Sequence, residues 1–461
     1  MEFQFGTNWA YYSHYVGDVF GAPLALEGLM AFFLEATFIG LFFFGWDKLS
    51  RVGHLAVTWC VALGSNLSAL WILIANAWMQ FPVGSAFNPQ TMRMEVTDFA
   101  AVLLNPVAQA KFVHTVSAGY VTGAVFVLSI SAWYLLRGRH VEVAKRSMTV
   151  AASFGLASAL SVVVLGDESG YTVTQNQKMK LAAIEGMWET EPAPAPFTIV
   201  GLPSMSEHAT NYRLQVPWAL GLIATRSISG VLPGIKELVA DGEKRIRAGL
   251  KAYDGLQRLR QDPGDAGAKA LLQGNVGDLG YALLLRRSIA DPREASDAQI
   301  TQAAWTLVPN VPVIFWSFRV MVAVGFFQIA LFVIAFGLAA RRQLDRWRWF
   351  LRVALLSLPL PWIAAELGWV VAEYGRQPWI VEGMLPTFLG ASSVPAASIW
   401  TSIAAFVLFY TGLAVIDVML MLRYVRIGPE ERWRVPDIGA GHPIDGGMYR
   451  QPEPELAEGG A

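Results

Sequence analysis

The chain has 461 residues, 54% of them hydrophobic and only 15% charged, with a formal net charge of −1; ordinary globular domains run nearer to about 45–50% and about 25%. A mean hydropathy of +0.40 over that length excludes a disordered chain, argues against a water-soluble enzyme of two or three domains, and leaves a bilayer as the fitting solvent. The near-zero charge provides no basic field to attract nucleic acid, and the single cysteine, Cys60, excludes intrachain disulfides, a cysteine zinc cluster and a cysteine-ligated iron–sulfur centre.

Taken in order, the first 20 residues are aromatic and polar, carry no secretory leader pattern, and read as the exit of a preceding membrane helix. Runs of about 20 mostly apolar residues predict spanning helices, and seven such runs lie roughly at 21–46, 54–82, 109–136, 147–166, 310–340, 349–372 and 394–423. The expected architecture is an all-α polytopic membrane protein in four parts. A four-helix part covers 1–166, a large extramembrane insert 167–309, a three-helix part 310–423, and a Gly/Pro/Glu-rich disordered tail 424–461. The insert holds 31 of the chain's 71 Lys, Arg, Asp and Glu residues and no run long enough to span. It starts Pro-rich (ETEPAPAPF), and from about 235 it alternates charge with Leu, Ala and Ile at helical spacing. Seventeen tryptophans and 26 phenylalanines suit interface anchors and aromatic packing around something large and flat.

Orientation follows from the short loops. Lys48 and Arg51, then Arg137, Arg139, Lys145 and Arg146, then Arg341, Arg342, Arg346 and Arg348, and last Arg423 and Arg426 all fall on one side if the helices alternate. By the positive-inside rule that side is the cytoplasm, so the N-terminus and the charged insert lie outside and the C-terminus inside.

Ionisable side chains at bilayer depth are costly, about 2.5–3.5 kcal/mol each on insertion scales, and ask for a reason. Glu27 and Glu35 in the first span are eight residues apart and share a face, roughly 12 Å apart along the axis. A single buried carboxylate fits a structural hydrogen bond; two stacked on one face favour stepping stones for protons. His114 is either a satisfied interhelical hydrogen bond or an axial heme ligand. Met321 alone is ordinary core packing, but His plus Met is the pairing of a six-coordinate, low-spin heme. Arg319, two residues before it, either snorkels to the interface or pairs with a heme propionate. In PLPWIAAELGWVVAEYGRQPW, Pro359 and Pro361 bend the sixth span or interrupt its hydrogen bonds, Glu366 and Glu373 share a face, and Arg376 follows Glu373 by a turn as an interfacial pair. GRQPW reads as a turn with Trp379 as a membrane-interface anchor. His114, Met321, Glu373 and Glu27 thus fall near the outer ends of four spans, on the side of the insert, which suggests one cofactor layer. Composition leaves the cofactor open, and proton-coupled transport on Glu27 and Glu35 is an alternative.

Longer stretches carry more. GTNWAYYSHYVGDVFGAPLALEGLMAFFLEATFIGLFFFGWD, ALGSNLSALWILIANAWMQ, NPVAQAKFVHTVSAGYVTGA, LGDESGY, QKMKLAAIE and WVVAEYGRQPW, in this order, closely resemble subunit I of cytochrome bd-type quinol oxidases from Met1 to about residue 425. The resemblance implies that His114 and Met321 are axial ligands of a low-spin heme b, that Glu373 ligates a high-spin heme b, and that Glu27 lies at the pocket of a heme d (or a further heme b) with Glu35 below it on the proton path. Lys180 and Glu185 match the quinol-oxidising part of the external loop, called the Q-loop, whose extent of 167–309 resembles the long-loop branch. Arg319 and Arg376 match arginines near heme propionates, and Trp369 a tryptophan between hemes. The implied enzyme is a multi-pass, electrogenic quinol:oxygen oxidoreductase of the bacterial cytoplasmic (inner) membrane. It would oxidise ubiquinol or menaquinol at the outer face, reduce O2 with cytoplasmic protons, and work with a subunit II, a small single-helix subunit and membrane lipid.

The family pattern has nine spans, and its first helix carries the His that binds heme d. The resemblance therefore implies that two helices are missing ahead of Met1, with a quinol-binding heme b protein that does not reduce oxygen as the alternative for the chain as written.

Overall fold

The computed structural model of the chain describes residues 8–227 and 229–429. Most of the expected tail, residues 430–461, and the first seven residues of the expected polar start lie outside the described residues.

Among the described residues seven helices are long and apolar enough to cross a membrane, at Ala10–Phe44, Arg51–Gln80, Phe99–Arg137, Val141–Asn176, Val311–Ala340, Arg348–Arg376 and Ala396–Ile427. In a bilayer each must satisfy its own backbone, and helices do so within the segment. The first is α1 (Ala10–Phe44), which contains a π-helical stretch at Glu27–Phe32. It starts eleven residues before the apolar run because Tyr12, Val16 and Val19 form a buried stripe within an otherwise polar segment. That stripe packs against Ile74, Ala77 and Trp78 of α2 (Arg51–Gln80). Two short strands follow, β1 (Ser85–Asn88) and β2 (Arg93–Val96), paired antiparallel.

Next come α3 (Pro106–Arg137) and α4 (Val141–Asn176). Asn105 caps α3 through the Val107 N–H with Pro106 at the first position, and Gly138 closes it in the left-handed region at φ +65°. At Gly155 of α4 an added Cβ would fall 2.3 Å from the Phe332 ring, so the missing side chain lets the fifth span approach. α4 runs past the expected boundary at 166 to Asn176, its buried Thr172 and Thr174 hydroxyls donating to the Ser169 and Gly170 carbonyls.

Outside the spans, α5 (Lys178–Glu185) is followed by a hairpin of β3 (Phe197–Ser204) and β4 (Ala209–Val216), registered from Phe197↔Val216 to Ser204↔Ala209. The charge-alternating stretch is helical as its periodicity predicts: α6 (Ile235–Gln261) and, farther on, α7 (Leu279–Leu283) and α8 (Asp297–Trp305), the last with a capping box from Ser296 to Gln299. Their core of Ile235, Val239, Ile246, Leu285 and Ile300 continues into Val311 and Ile314 at the start of α9 (Val311–Ala340).

The sixth span is interrupted after Arg348–Leu356 and resumes as α10 (Leu360–Glu373), with Pro359 and Pro361 flanking the restart as expected. After it β5 (Trp379–Val381) pairs with β6 (Leu385–Pro386), and α11 (Ala396–Ile427) has no buried residue among the described chain. α11 passes the expected boundary at 423 and stops before Gly428 at φ +78°. The fold is mostly helical, and the three strand pairs among the described residues are additions to the all-α expectation. They went unread because short half-exposed alternations at 85–96 and 197–216 sit among Pro, Gly and Thr.

In space α3, α4, α9 and α10 close into a four-helix group, each touching the next, while α2 flanks α3 and carries α1.

Candidate functional site

The loop and the spans meet at a buried ion pair. Arg319 of α9 and Glu185 at the end of α5 are 8% and 4% exposed and lie 3.0 Å apart. Arg319 donates from Nε and Nη2 to the Thr198 carbonyl at 3.1 and 2.6 Å, and from Nη1 to the Ile184 and Phe315 carbonyls at 2.5 and 3.3 Å. Its guanidinium carbon also stacks 3.4 Å from the Phe315 ring centroid. Every guanidinium nitrogen is thus used inside the protein, pinning α5 and β3 to the fifth span. Arg319 is thus buried within the protein and bonded to its backbone carbonyls, an arrangement unlike a side chain extended into solvent. Burial pushes the Glu185 carboxyl up to about 7, with Arg319 opposing.

Lys180, also of α5, sits in a second buried network. Its ammonium has three N–H groups and three acceptors: Gln80 Oε1 at 2.5 Å, Gln177 Oε1 at 2.8 Å and the Ala372 carbonyl at 2.9 Å. Burial pushes its pKa well down, Lys111 and Arg376 add to this, and Glu382 and Glu373 oppose it. Its stem lies over Gly375, where an added Cβ would come 3.1 Å from Lys180 Cγ.

Glu373, the last residue of α10, is held from three directions. Its Oε1 accepts from Asn76 Nδ2 at 2.9 Å and Gln80 Nε2 at 3.1 Å, both from α2, and its Oε2 accepts from Arg376 Nη2 at 2.5 Å. The expected Glu–Arg pair is therefore present, with Arg376 buried. Lys111 of α3 completes the group, donating to Asn76 Oδ1 at 2.8 Å and lying 5.9 Å from the centroid of the Trp369 ring on α10. Trp379, expected at the membrane interface, is instead 3% exposed and packs 5.1 Å from the Tyr281 ring of α7. GRQPW is a turn, but its tryptophan seals the loop core.

The remaining donors come from the four-helix group. His114 of α3 faces α4 at Gly166, where an added Cβ would meet its Cε1 at 3.3 Å, and its Nδ1 is buried. Met321 of α9 faces α10 at Gly368, where an added Cβ would meet its Sδ at 3.1 Å. The Nε and Nη1 of Arg376 are buried and unpartnered. An imidazole and a thioether on separate helices are donor types for a six-coordinate heme iron. Unpaired arginine N–H groups are donors for a carboxylate. Glu373 keeps one lone-pair direction on Oε2 beyond its three donors. These residues fit a heme.

Glu27 and Glu35 are brought to one partner helix. Ser68 of α2 donates to Glu27 Oε1 at 2.7 Å and Ser65 to Glu35 Oε1 at 3.0 Å. Glu27 opens the π-helical stretch, an irregularity common at functional positions. α1 and α2 touch at Gly64, where an added Cβ would lie 3.2 Å from the Glu35 backbone. Ser65, Ser68, Asn76, Gln80, Lys111, Gln177 and Glu382 were not singled out from sequence. For the α2 residues a signal existed: Ser65 and Ser68, then Asn76 and Gln80, are polar pairs three and four apart in an apolar span.

Residues 1–429 match the cytochrome bd terminal oxidase subunit I family. The chain is 49% identical over 429 residues to the cytochrome bd-II ubiquinol oxidase subunit 1 of Escherichia coli (strain K12), covering 93% of this chain and 84% of that protein. It is 34% identical over 431 residues to the cytochrome bd ubiquinol oxidase subunit 1 of Bacillus subtilis (strain 168), covering 93% and 80%. Among solved structures, the bd oxidase from Geobacillus thermodenitrificans aligns with a TM-score of 0.71 at 26% identity, covering 93% of this chain and 83% of that one.

Proposed function

Because the chain belongs to the cytochrome bd terminal oxidase subunit I family, we propose that it is the heme-bearing subunit of a membrane-bound quinol:oxygen oxidoreductase, working with a subunit II and a small single-helix subunit. The quinol side is assigned to 167–309 on the outer face, with the C-terminus in the cytoplasm, and protons for oxygen reduction enter past Glu35 and Glu27. The observation that carries this reading is the buried junction where Lys180 and Glu185 of one short helix are tied to α9, α2 and α10. It joins the loop expected to take quinol to the spans that bear the candidate heme ligands.

His114 and Met321 are assigned to a low-spin heme b, Glu373 to a high-spin heme b, and Glu27 to the pocket of a heme d or further heme b. Bound heme supplies reversible one-electron redox chemistry, which side chains lack. The chain's own residues do the rest. Arg376 presents two unpartnered buried nitrogens to an anionic side arm. Glu185 holds or takes a proton, because burial keeps its carboxyl near 7, where a base at neutral pH is most useful. Ser65 and Ser68 orient the Glu35 and Glu27 carboxylates toward α2. Trp369, beside Lys111, is assigned to the space between hemes.

The test is expression of the full complex, followed by a reduced-minus-oxidised spectrum and quinol-dependent oxygen uptake. Heme bands together with quinol-dependent uptake are the expected result; a colourless complex, or a coloured one that takes up no oxygen with quinol, would overturn the proposal.

A pH dependence follows from Glu185. The carboxylate is the proton-accepting form, and its population grows as pH rises through about 7. The turnover number should therefore rise across that interval. Glu185→Gln should lack that rise and turn over about 100-fold more slowly, the usual scale for a lost general base, while its heme bands stay in place. A normal profile in Glu185→Gln would remove the residue from proton transfer.

A further inference from the structure

Glu382, in the turn between β5 and β6, is not among the residues the family resemblance singles out, yet it stands at the end of the Lys180 network. Gln177 Nε2 donates to Glu382 Oε2 at 3.1 Å, while Gln177 Oε1 accepts from Lys180 Nζ at 2.8 Å. One amide therefore bridges the carboxylate and the ammonium, and each end is matched by chemistry. A carboxylate only accepts and an ammonium only donates, so the amide has one workable orientation.

The turn is fixed from several sides. The Glu382 N–H donates to the Met79 carbonyl of α2 at 2.9 Å. Gly383 takes φ +69°. α7 comes so close at Gly280 that an added Cβ would lie 2.2 Å from the Gly383 carbonyl oxygen. A half-buried carboxylate held this firmly by backbone contacts is placed for its partner.

We propose that Glu382 is the positioning residue for Lys180, holding the Gln177 amide so that its oxygen faces the ammonium and supplying the nearby negative charge that keeps Lys180 aligned for quinol. This rests on the reading of Lys180 as a quinol-side residue. Without the carboxylate, a neutral side chain lets the amide turn its NH2 toward Lys180, where donor meets donor. The ammonium would then keep two of its three acceptors and drift from its place over Gly375. The charged and titratable groups facing Glu382 are Lys180 of α5, Arg376 after α10, Arg245 of α6 and Tyr281 of α7. Burial pushes the Glu382 carboxyl up, with Lys180, Gln177, Arg376 and Arg245 opposing. Acid pH should therefore convert the native site into the neutral form.

The experiment uses the assembled, heme-loaded complex and a short-chain ubiquinol as probe. Glu382→Gln should raise the KM for quinol about tenfold, the scale of a lost charge-assisted hydrogen bond, with less effect on kcat and unchanged heme bands. Glu382→Asp should restore part of the affinity. The native KM should rise as pH falls, and that of Glu382→Gln should stay flat. Unchanged KM in Glu382→Gln, beside a raised KM in Lys180→Ala, overturns this inference and leaves the quinol site standing. Unchanged KM in Lys180→Ala removes Lys180 from the quinol site, and the inference falls with it.

Discussion

Arg319→Ala is expected to cost about 3–5 kcal/mol of stability at the loop–span junction, the scale for removing one partner of a buried ion pair, and to abolish quinol oxidation. The guanidinium serves four acceptors at once, the Thr198, Ile184 and Phe315 carbonyls and the Glu185 carboxylate. Truncation leaves all four buried without that donor. Arg319→Lys should restore little, because an ammonium cannot span the planar fork. The loss also has a pH sign. Without Arg319 the Glu185 carboxyl, already raised by burial, rises further. A group bound more tightly to its proton in the folded state stabilises that state in acid, and the benefit fades as pH climbs from the ordinary carboxyl range through 7 and above. The variant should therefore be least stable at alkaline pH. Limited proteolysis of the 186–230 segment, run at acid and alkaline pH, reads this directly. Native resistance at both would show that the pair does not hold the loop.

That junction also shows what sequence could and could not convey. Hydropathy found all seven spans, because a run of about 20 apolar residues has few other homes. It misplaced their ends wherever polar residues continue a helix beyond the apolar run. Tyr12, Val16 and Val19 extend the start of α1 on a three- and four-residue stripe, and Thr172 and Thr174 extend the end of α4 on hydroxyls that bond back to their own helix. Helical charge spacing found α6 and α8, since long amphipathic periods survive without neighbours. The hairpin of β3 and β4 did not show, because its eight-residue strands are half exposed and irregular in register.

The site was legible as types of residue more than as partners. A carboxylate in an apolar run announces itself by its cost; what it bonds to is set by packing between helices far apart in the chain. Gln80 reaches Glu373 across 293 positions and Gln177 reaches Glu382 across 205, and no local period encodes such a pairing. Trp379 makes the same point in reverse. A tryptophan after a turn at the end of a span has the composition of an interface anchor, and only the approach of α7 turns it into core.

Replacing both His114 and Met321 should remove the low-spin heme spectrum altogether and lower quinol oxidation by about 100-fold or more, at least the loss seen when groups that merely support a metal ligand are removed. Two small residues make the assignment specific. Gly166 leaves room beside the His114 ring and Gly368 beside the Met321 sulfur, so each donor has space on its helix-facing side that a larger neighbour would fill. Met321→Leu is the cleaner half of the test. A methionine-to-leucine exchange keeps volume and usually costs less than about 1.5 kcal/mol, so the four-helix group should still assemble while the thioether is gone. If the thioether holds the heme, the variant should show a shifted absorption band and a changed midpoint potential. His114→Ala should lose the band outright, since it also opens a cavity next to an already glycine-lined wall. Gly166→Ala, whose Cβ would press on His114 Cε1 from 3.3 Å, should perturb the band without abolishing it. Native spectra in the double variant would place the low-spin heme elsewhere, because no arrangement in which these two side chains hold the iron survives the loss of both.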